Sequence, residues 1–531
     1  MVLREDRRRF SRGRMIGVLA GIPLIATLLA ACSGGGAAPE PTQSGIAHGG
    51  TLTVAAPQSP VNLNPVAGTP GAYAGLYNIM AYEPIIKLAA DGHTLVPGLA
   101  TAWKFLDTES QVLELTLNTE AKFSDGTPVT SAGIQAFLEY YEADRKRGYF
   151  DGATYETPSD DKLVIHLSHP LSIVLQLLAD SWSTAGFAVS PKALENPDAL
   201  KSSTVGAGPY MLDPAQSTLG EELVYVPNPY YYDKDSVHWD KVVFKVIPDA
   251  SAALSSLQSG QVQVIAGGGA QQVSAAEAAG LQVVKGPESP IIINTGDLAG
   301  DVVPALKDVR VRQALSYAID REAIASGIFD GNATVDQQLL REGLPGYDPD
   351  LKNAYPYDPD KAKQLLTEAG YPNGFDAGEL LVSPANGMKE TLQAVQGYWE
   401  KLGVKVSLLT LPSSEWNIRF RNNAYPLWAT NGYYSDLLFT MWTHYTPGAP
   451  YPSRNNEYPE LDPIRLKLLA APPDTPEAES LAKEANDYLV KNALGIYVVN
   501  MDWIYFASKD IGGITVAVPR MTSILDWYPT N

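Results

Sequence analysis

Met388-Lys389-Glu390-Thr391-Leu392-Gln393-Ala394-Val395-Gln396-Gly397-Tyr398-Trp399-Glu400-Lys401-Leu402-Gly403-Val404-Lys405-Val406-Ser407-Leu408 holds a complete structural sentence. Apolar residues recur at Met388, Leu392, Val395, Trp399 and Leu402, a spacing of three and four that lines one face of a helix. Gly403 closes that helix, because a residue without Cβ enters the left-handed conformation at little cost. Val404, Val406 and Leu408 then alternate with Lys405 and Ser407, as a half-buried strand requires. The unit is a helix handed directly to a strand.

The same grammar recurs along the chain. Asp358-Pro359-Asp360 predicts a capped helix start, followed by Ala362, Leu365, Leu366 and Ala369 at helical spacing and by Gly370. Asp249 caps a helix whose apolar face is Ala253, Leu254 and Leu257; Gly260 ends it, and Val262 and Val264 resume a strand. Leu113, Leu115 and Leu117 alternate as a strand, Asp125-Gly126 turns the chain, and Thr130 caps a helix entering Ile134 and Phe137. Gly49 to Ala55 opens the domain as a strand that breaks at Pro57 and Pro60. Strands and helices alternate without a fixed-period repeat, so a mixed α/β class with several lobes around a cleft is expected.

At 531 residues the chain exceeds the roughly 250–300 residues one hydrophobic core can serve, so several structural units are expected. Hydrophobic residues at 45% and charged residues at 18% exclude wholesale disorder. The formal net charge is −20, and because residues 1–31 carry six Arg against Glu5 and Asp6, the remainder carries −24. Nucleic acid is excluded as a partner, since phosphate is bound by clustered Lys and Arg.

Arg4, Arg7, Arg8, Arg9, Arg12 and Arg14 precede an uncharged apolar run from Met15 to Ala31 that reaches Cys32. This is the layout of a secretory signal peptide over residues 1–31. The run is too short for a span, which needs about 20 apolar residues, and Gly21 and Pro23 interrupt it. Leu29-Ala30-Ala31-Cys32 resembles the lipobox of bacterial lipoproteins, and Cys32, the single cysteine of the chain, is the expected lipidation site and mature first residue. Residues 32–48, rich in Gly, Pro, Ala and Ser, read as a flexible tether. The expected product is exported and lipid-anchored at the outer face of the cytoplasmic membrane.

Four further stretches bear on ancestry. They are Leu99-Ala100-Thr101-Ala102-Trp103 leading to Lys122-Phe123-Ser124-Asp125-Gly126-Thr127-Pro128-Val129-Thr130; Val205-Gly206-Ala207-Gly208-Pro209-Tyr210; Asp308-Val309-Arg310-Val311-Arg312-Gln313-Ala314-Leu315-Ser316-Tyr317-Ala318-Ile319-Asp320-Arg321; and Tyr357-Asp358-Pro359 to Gly370-Tyr371. In this order the chain resembles the family 5 extracellular solute-binding proteins of ABC importers, the dipeptide, oligopeptide and nickel binders. The resemblance implies a two-lobed periplasmic-binding-protein-like fold with an extra domain inserted in the first lobe and a ligand cleft between the lobes. Carried over, residues 49–82, 205–287 and 497–531 form lobe I, 83–204 the inserted domain and 288–496 lobe II, with hinges near Gly286 and Ile496. It implies a monomer that takes a peptide or similar-sized solute and delivers it to ABC permease and ATPase subunits.

Between Tyr425 and Tyr451 lie eight aromatic residues in 27, about 30% against 9% for the chain. Their apolar faces and polar edges suit a peptide side chain or a sugar, and Trp428, Tyr433 and Tyr434 are the expected ligand contacts. Peptide-binding members of the family carry a W-x-x-D-Y-x-D-P loop whose first carboxylate meets the ligand ammonium. Here the run is Trp428-Ala429-Thr430-Asn431-Gly432-Tyr433-Tyr434-Ser435-Asp436, with Asn431 in the place of the acid and Asp436 as its possible substitute. A neutral amide accepts a hydrogen bond but does not compensate a desolvated positive charge. An oligosaccharide or a longer peptide held by its backbone is therefore an alternative to a dipeptide. Tyr73, Tyr77 and Trp182 are placed at the cleft by resemblance, and Asn294 and Thr295, just after the first crossover, are expected to reach it from the hinge.

No catalytic residues, cofactor or metal ligands are expected. His166 and His169 are three apart on a strand read from the alternation of Leu163, Ile165 and Leu167, where residues three apart face opposite sides. No H-E-x-x-H, G-x-S-x-G or phosphate-cradling glycine loop occurs. A secreted hydrolase using two carboxylates is the rival class, because such a pair leaves no sequence motif.

Overall fold

In the computed structural model the opening stretch folds as its spacing predicts: a helix over Met388–Glu400, Gly403 at φ +79°, and a strand over Lys405–Thr410. The structure describes residues 47–530 except 68–71, 93, 146–147, 180–182, 287–288, 384–386, 412–414, 417–418, 421–424, 432–436, 447–455 and 517–520; the side chains of 72–74, 145 and 521–523 also lie outside the description. Caps fall where the sequence places them. Asp358 accepts from the Lys361 amide, Asp249 from the Ala252 amide and Thr130 from the Gly133 amide. Gly260 and Gly370 take positive φ just after their helices. Val262, expected in the strand after Gly260, instead precedes it, and that strand runs Val264–Gly268.

A seven-stranded sheet runs in the order Gln282–Lys285, Ile504–Ala507, Val264–Gly268, Thr51–Ala56, Lys241–Val246, Glu222–Pro227, Tyr210–Leu212. Its centre is parallel, with Thr51–Ala56 flanked by Lys241–Val246 and Val264–Gly268. A six-stranded sheet runs Ala333–Thr334, Gly495–Met501, Ser289–Thr295, Leu427–Asn431, Asp376–Val382, Lys405–Thr410, and its last three strands are mutually parallel. Residues 83–204 contribute a four-stranded antiparallel sheet of Ala100–Phe105, Val112–Leu117, Lys162–His166 and Thr154–Ser159.

Lobe I and the sheet of residues 83–204 share one apolar core, in which Leu52, Val54 and Phe244 join Leu113, Leu115, Phe137 and Ile165. The six-stranded sheet is covered on both faces. Ile291 and Ile293 pack under the helices Val309–Tyr317, Arg321–Phe329 and Met388–Glu400, and Ile292 packs under Leu437–His444, Leu461–Ala470 and Pro476–Lys491.

Two boundaries differ from the expectation. The strand Gly495–Met501 pairs with Ser289–Thr295 as far as Met501↔Ser289, so the chain stays in the second sheet until Asp502–Trp503. The second crossover therefore lies several residues beyond Ile496, because the ladder continues to satisfy backbone groups that an earlier exit would bury unpaired. At the other end, His48 is not free tether: its ring packs on His238 at 5.1 Å and its Nδ1 meets the Val237 carbonyl at 3.2 Å. Cys32 and the signal segment lie outside the described residues.

The Asp308–Arg321 stretch is scaffold. Arg321, 3% exposed, donates to the carbonyls of Tyr497, Ser316 and Tyr355, and Arg312 donates to those of Asn492, Leu306 and Lys307. Burial lowers the pKa of the Arg321 guanidinium to about 9 and that of Arg312 to about 10. Carbonyl dipoles hold these cations where a fork-shaped donor set fits them.

Candidate ligand-binding cleft

In open α/β sheets ligands collect outside the carboxyl ends of parallel strands. Both large sheets turn those ends toward the same place. In the first sheet, Ala56, Val246 and Gly268 end their strands at the edge where Lys285 and Ile504 pair, which is where the chain leaves for the second sheet. In the second, Val382, Thr410 and Asn431 end theirs at the edge where Ser289 and Met501 pair. The two crossovers, Lys285 to Ser289 and Met501 to Ile504, join these facing edges, and the space beside them is the cleft.

The crossovers are tied together. The Gly286 amide donates to the Trp503 carbonyl at 2.7 Å, and a Cβ on Gly286 would stand 2.2 Å from Val516 Cγ1. Lys285 Nζ lies 2.5 Å from Asn332 Oδ1 of the second lobe and 3.6 Å from Asp502 Oδ2. Burial raises the pKa of the Asp502 carboxyl above its ordinary range. Neither Lys285 nor Asp502 was singled out by the sequence reading, since an isolated charge beside a strand has no motif.

Asn431 stands at the cleft edge, half-buried, ending its strand opposite Ile291. Trp428 is three residues earlier and on the other face of that strand. It is 3% exposed, stacked on His444 at 5.3 Å and met edge-on by Phe420 at 4.9 Å. Desolvation pushes the His444 pKa down to about 3, so the ring is neutral beneath the indole. Trp428 thus sits within an aromatic cluster with Trp416, Phe420 and Tyr425.

Asn294 and Thr295 are not at the hinge. They lie at the far end of Ser289–Thr295, 3% and 5% exposed, opposite Trp428 and Leu427. The ladder, and helices over both faces, carry them some five residues, about 17 Å, from the crossover. Tyr445 donates to Asn294 Oδ1 at 3.2 Å. Tyr77 is also interior, 1% exposed and packed on Phe244 at 4.8 Å, with its hydroxyl donating to the Gln58 carbonyl at 2.7 Å. Trp182, Tyr433, Tyr434 and Asp436 lie outside the described residues, as does the side chain of Tyr73.

The break at Pro57 and Pro60 is read from the sequence, but not its place: the turn Pro57-Gln58-Ser59-Pro60-Val61 continues the carboxyl end of a central parallel strand toward the cleft edge. Its signal was present in the two prolines that stop the strand, once the strand is known to be central and parallel. A second missed feature is the meeting of residues 83–204 with lobe II. Ser172 donates through its amide and hydroxyl to the carbonyls of Leu469 and Leu468, and Ser110 donates to that of Ala470. Trp442 stacks on His169 at 5.7 Å and lies 5.9 Å from Tyr149. His166 instead pairs with Glu156 at 2.9 Å, so the two imidazoles serve different partners.

Two sheets hinged at one edge with a cleft between their strand ends define a solute-binding protein of the two-lobed periplasmic type. The chain belongs to the bacterial extracellular solute-binding proteins, family 5, whose profile matches residues 94–452. Proteins of this family bind solutes and are not enzymes, which removes the two-carboxylate hydrolase.

Among relatives, heme-binding protein A of Haemophilus influenzae is 29% identical over 258 residues, 47% of this chain and 44% of that protein. The dipeptide-binding protein of Escherichia coli is 25% identical over 401 residues, 69% of this chain and 72% of that protein. Among solved structures, the binding protein AgaA from A. tumefaciens R10, in complex with agropinic acid, superposes with a TM-score of 0.81 at 22% identity, over 91% of this chain and 99% of that one.

Proposed function

We propose that the chain is the lipid-anchored receptor of an ABC importer, which takes a peptide or peptide-like solute into the interlobe cleft and delivers it to the permease. The observation that carries this reading is the convergence of the carboxyl ends of both parallel strand sets on one hinged edge. Anchoring rests on Cys32 closing an apolar run, and two acyl chains on it would anchor the protein durably. The relatives named above differ in what their names say they bind: heme, a dipeptide and agropinic acid.

At the described cleft edge the second lobe offers the amide of Asn431 where a carboxylate would serve a ligand ammonium. An amide offers one acceptor and two donors, which suits a peptide group or another uncharged polar unit. We infer that the solute is read there through hydrogen bonds. Mass spectrometry of small molecules released from gently purified protein tests the reading: peptides or amide-rich solutes at about one per chain support it, and a sugar or a metal chelate would overturn the ligand class.

A further inference from the structure

We propose that Tyr77 is a positioning residue for the lobe I lip of the cleft, with its ring wedged in the core and its hydroxyl fixing the turn Pro57–Val61. The inference deepens the binding reading above and rests on it.

The turn leaves the central strand Thr51–Ala56 at its carboxyl end and carries exposed groups toward the cleft edge. Gln58 is exposed and Val61 is 69% exposed. Neither Pro57 nor Pro60 has an amide hydrogen, so the turn has few donors with which to hold itself. It is held from outside. The Ile247 amide donates to the Ala56 carbonyl at 2.9 Å, and the Gly220 amide donates to Ser59 Oγ at 3.0 Å. At Gln58 the Tyr77 hydroxyl donates to the carbonyl at 2.7 Å.

The core around Tyr77 supplies its own control. Tyr225 lies on the same Phe244 at 5.8 Å, edge-on, while Tyr77 lies at 4.8 Å. Both rings are fully buried, yet among the described residues the Tyr225 hydroxyl has no hydrogen-bond partner. Apolar packing at either place would be served by phenylalanine. What phenylalanine at 77 would lose is the link to the turn, and a binding loop ordered in advance gives up less freedom when ligand arrives.

The test compares Tyr77→Phe with Tyr225→Phe in the full exported chain. Hydrogen exchange is read at the amides of Gln58, Ser59 and Val61, and binding is read by calorimetry with peptides from a tryptic casein digest. Tyr77→Phe should raise exchange in the turn about tenfold and weaken peptide binding about five- to tenfold, with the rest of the first sheet unchanged. Tyr225→Phe should alter neither. The proposal is overturned if the two variants behave alike, if exchange rises across the whole sheet, or if the turn loosens while affinity stays the same. Failure of the wild-type protein to bind any peptide would count against the ligand class and not against Tyr77, whose exchange comparison needs no ligand.

Discussion

At the scale of single residues, Asn431 stands half-buried at the end of its strand, and burial keeps the His444 ring neutral well into the acid range. If Asn431 reads an uncharged part of the solute, Asn431→Asp desolvates a carboxylate without a cation and should weaken binding by roughly 1–3 kcal/mol. Tighter binding of the variant in calorimetry would place a ligand ammonium there instead. His444 carries a pH prediction. Its pKa is about 3 in the folded chain, against an ordinary value near 6.5, so the folded state favours the neutral ring. The stability tied to it is complete above about pH 6.5 and is lost as pH falls toward 3, roughly 2 kcal/mol by pH 5. In denaturant titrations the stability of wild type relative to His444→Phe should therefore fall by roughly 2 kcal/mol as pH drops from 7 to 5; a constant difference would show that His444 does not titrate on unfolding.

At the scale of elements, helix boundaries were readable because each is decided by neighbouring residues. Asp358, Asp249 and Thr130 cap the helices that their spacing announces, and Asp358→Ala should cost about 1 kcal/mol in thermal or chemical unfolding. A cost near zero would mean that solvent satisfies those amides as well as the side chain does. Placement within a sheet was less readable. Asn294 and Thr295 were expected at the hinge from their nearness to Gly286 in sequence, but seven residues of ladder separate edge from end. Trp428 and Asn431, read as one loop, fall on opposite faces of a strand, whereas His169 lies beyond the end of the strand Lys162–His166. Tyr77 was expected to touch ligand and instead reaches the turn beside it through its hydroxyl. These are tertiary facts, fixed by which strands pair, and no local pattern encodes the pairing.

At the scale of the molecule, the α/β class and the two-lobed fold were legible from the alternation of elements and from the four family-like stretches. The path of the second crossover and the contact between residues 83–204 and the helices of lobe II were not, since both depend on surfaces distant in sequence. Gly286 lies where the crossovers touch, and Gly286→Ala would press a Cβ into Val516. Overpacking of this kind costs about 1–3 kcal/mol, and here it should also slow opening and closing, read as reduced on- and off-rates for ligand. Unchanged rates would remove the crossover from the hinge. The helix end at Leu468–Ala470 and the Trp442 stack join residues 83–204 to lobe II. The central claim is that solute is held between lobes that close on it. Small-angle scattering of the exported chain, stripped of solute and then saturated with it, tests this most directly: the account predicts a smaller radius of gyration on saturation, and an unchanged radius at demonstrated saturation would contradict it.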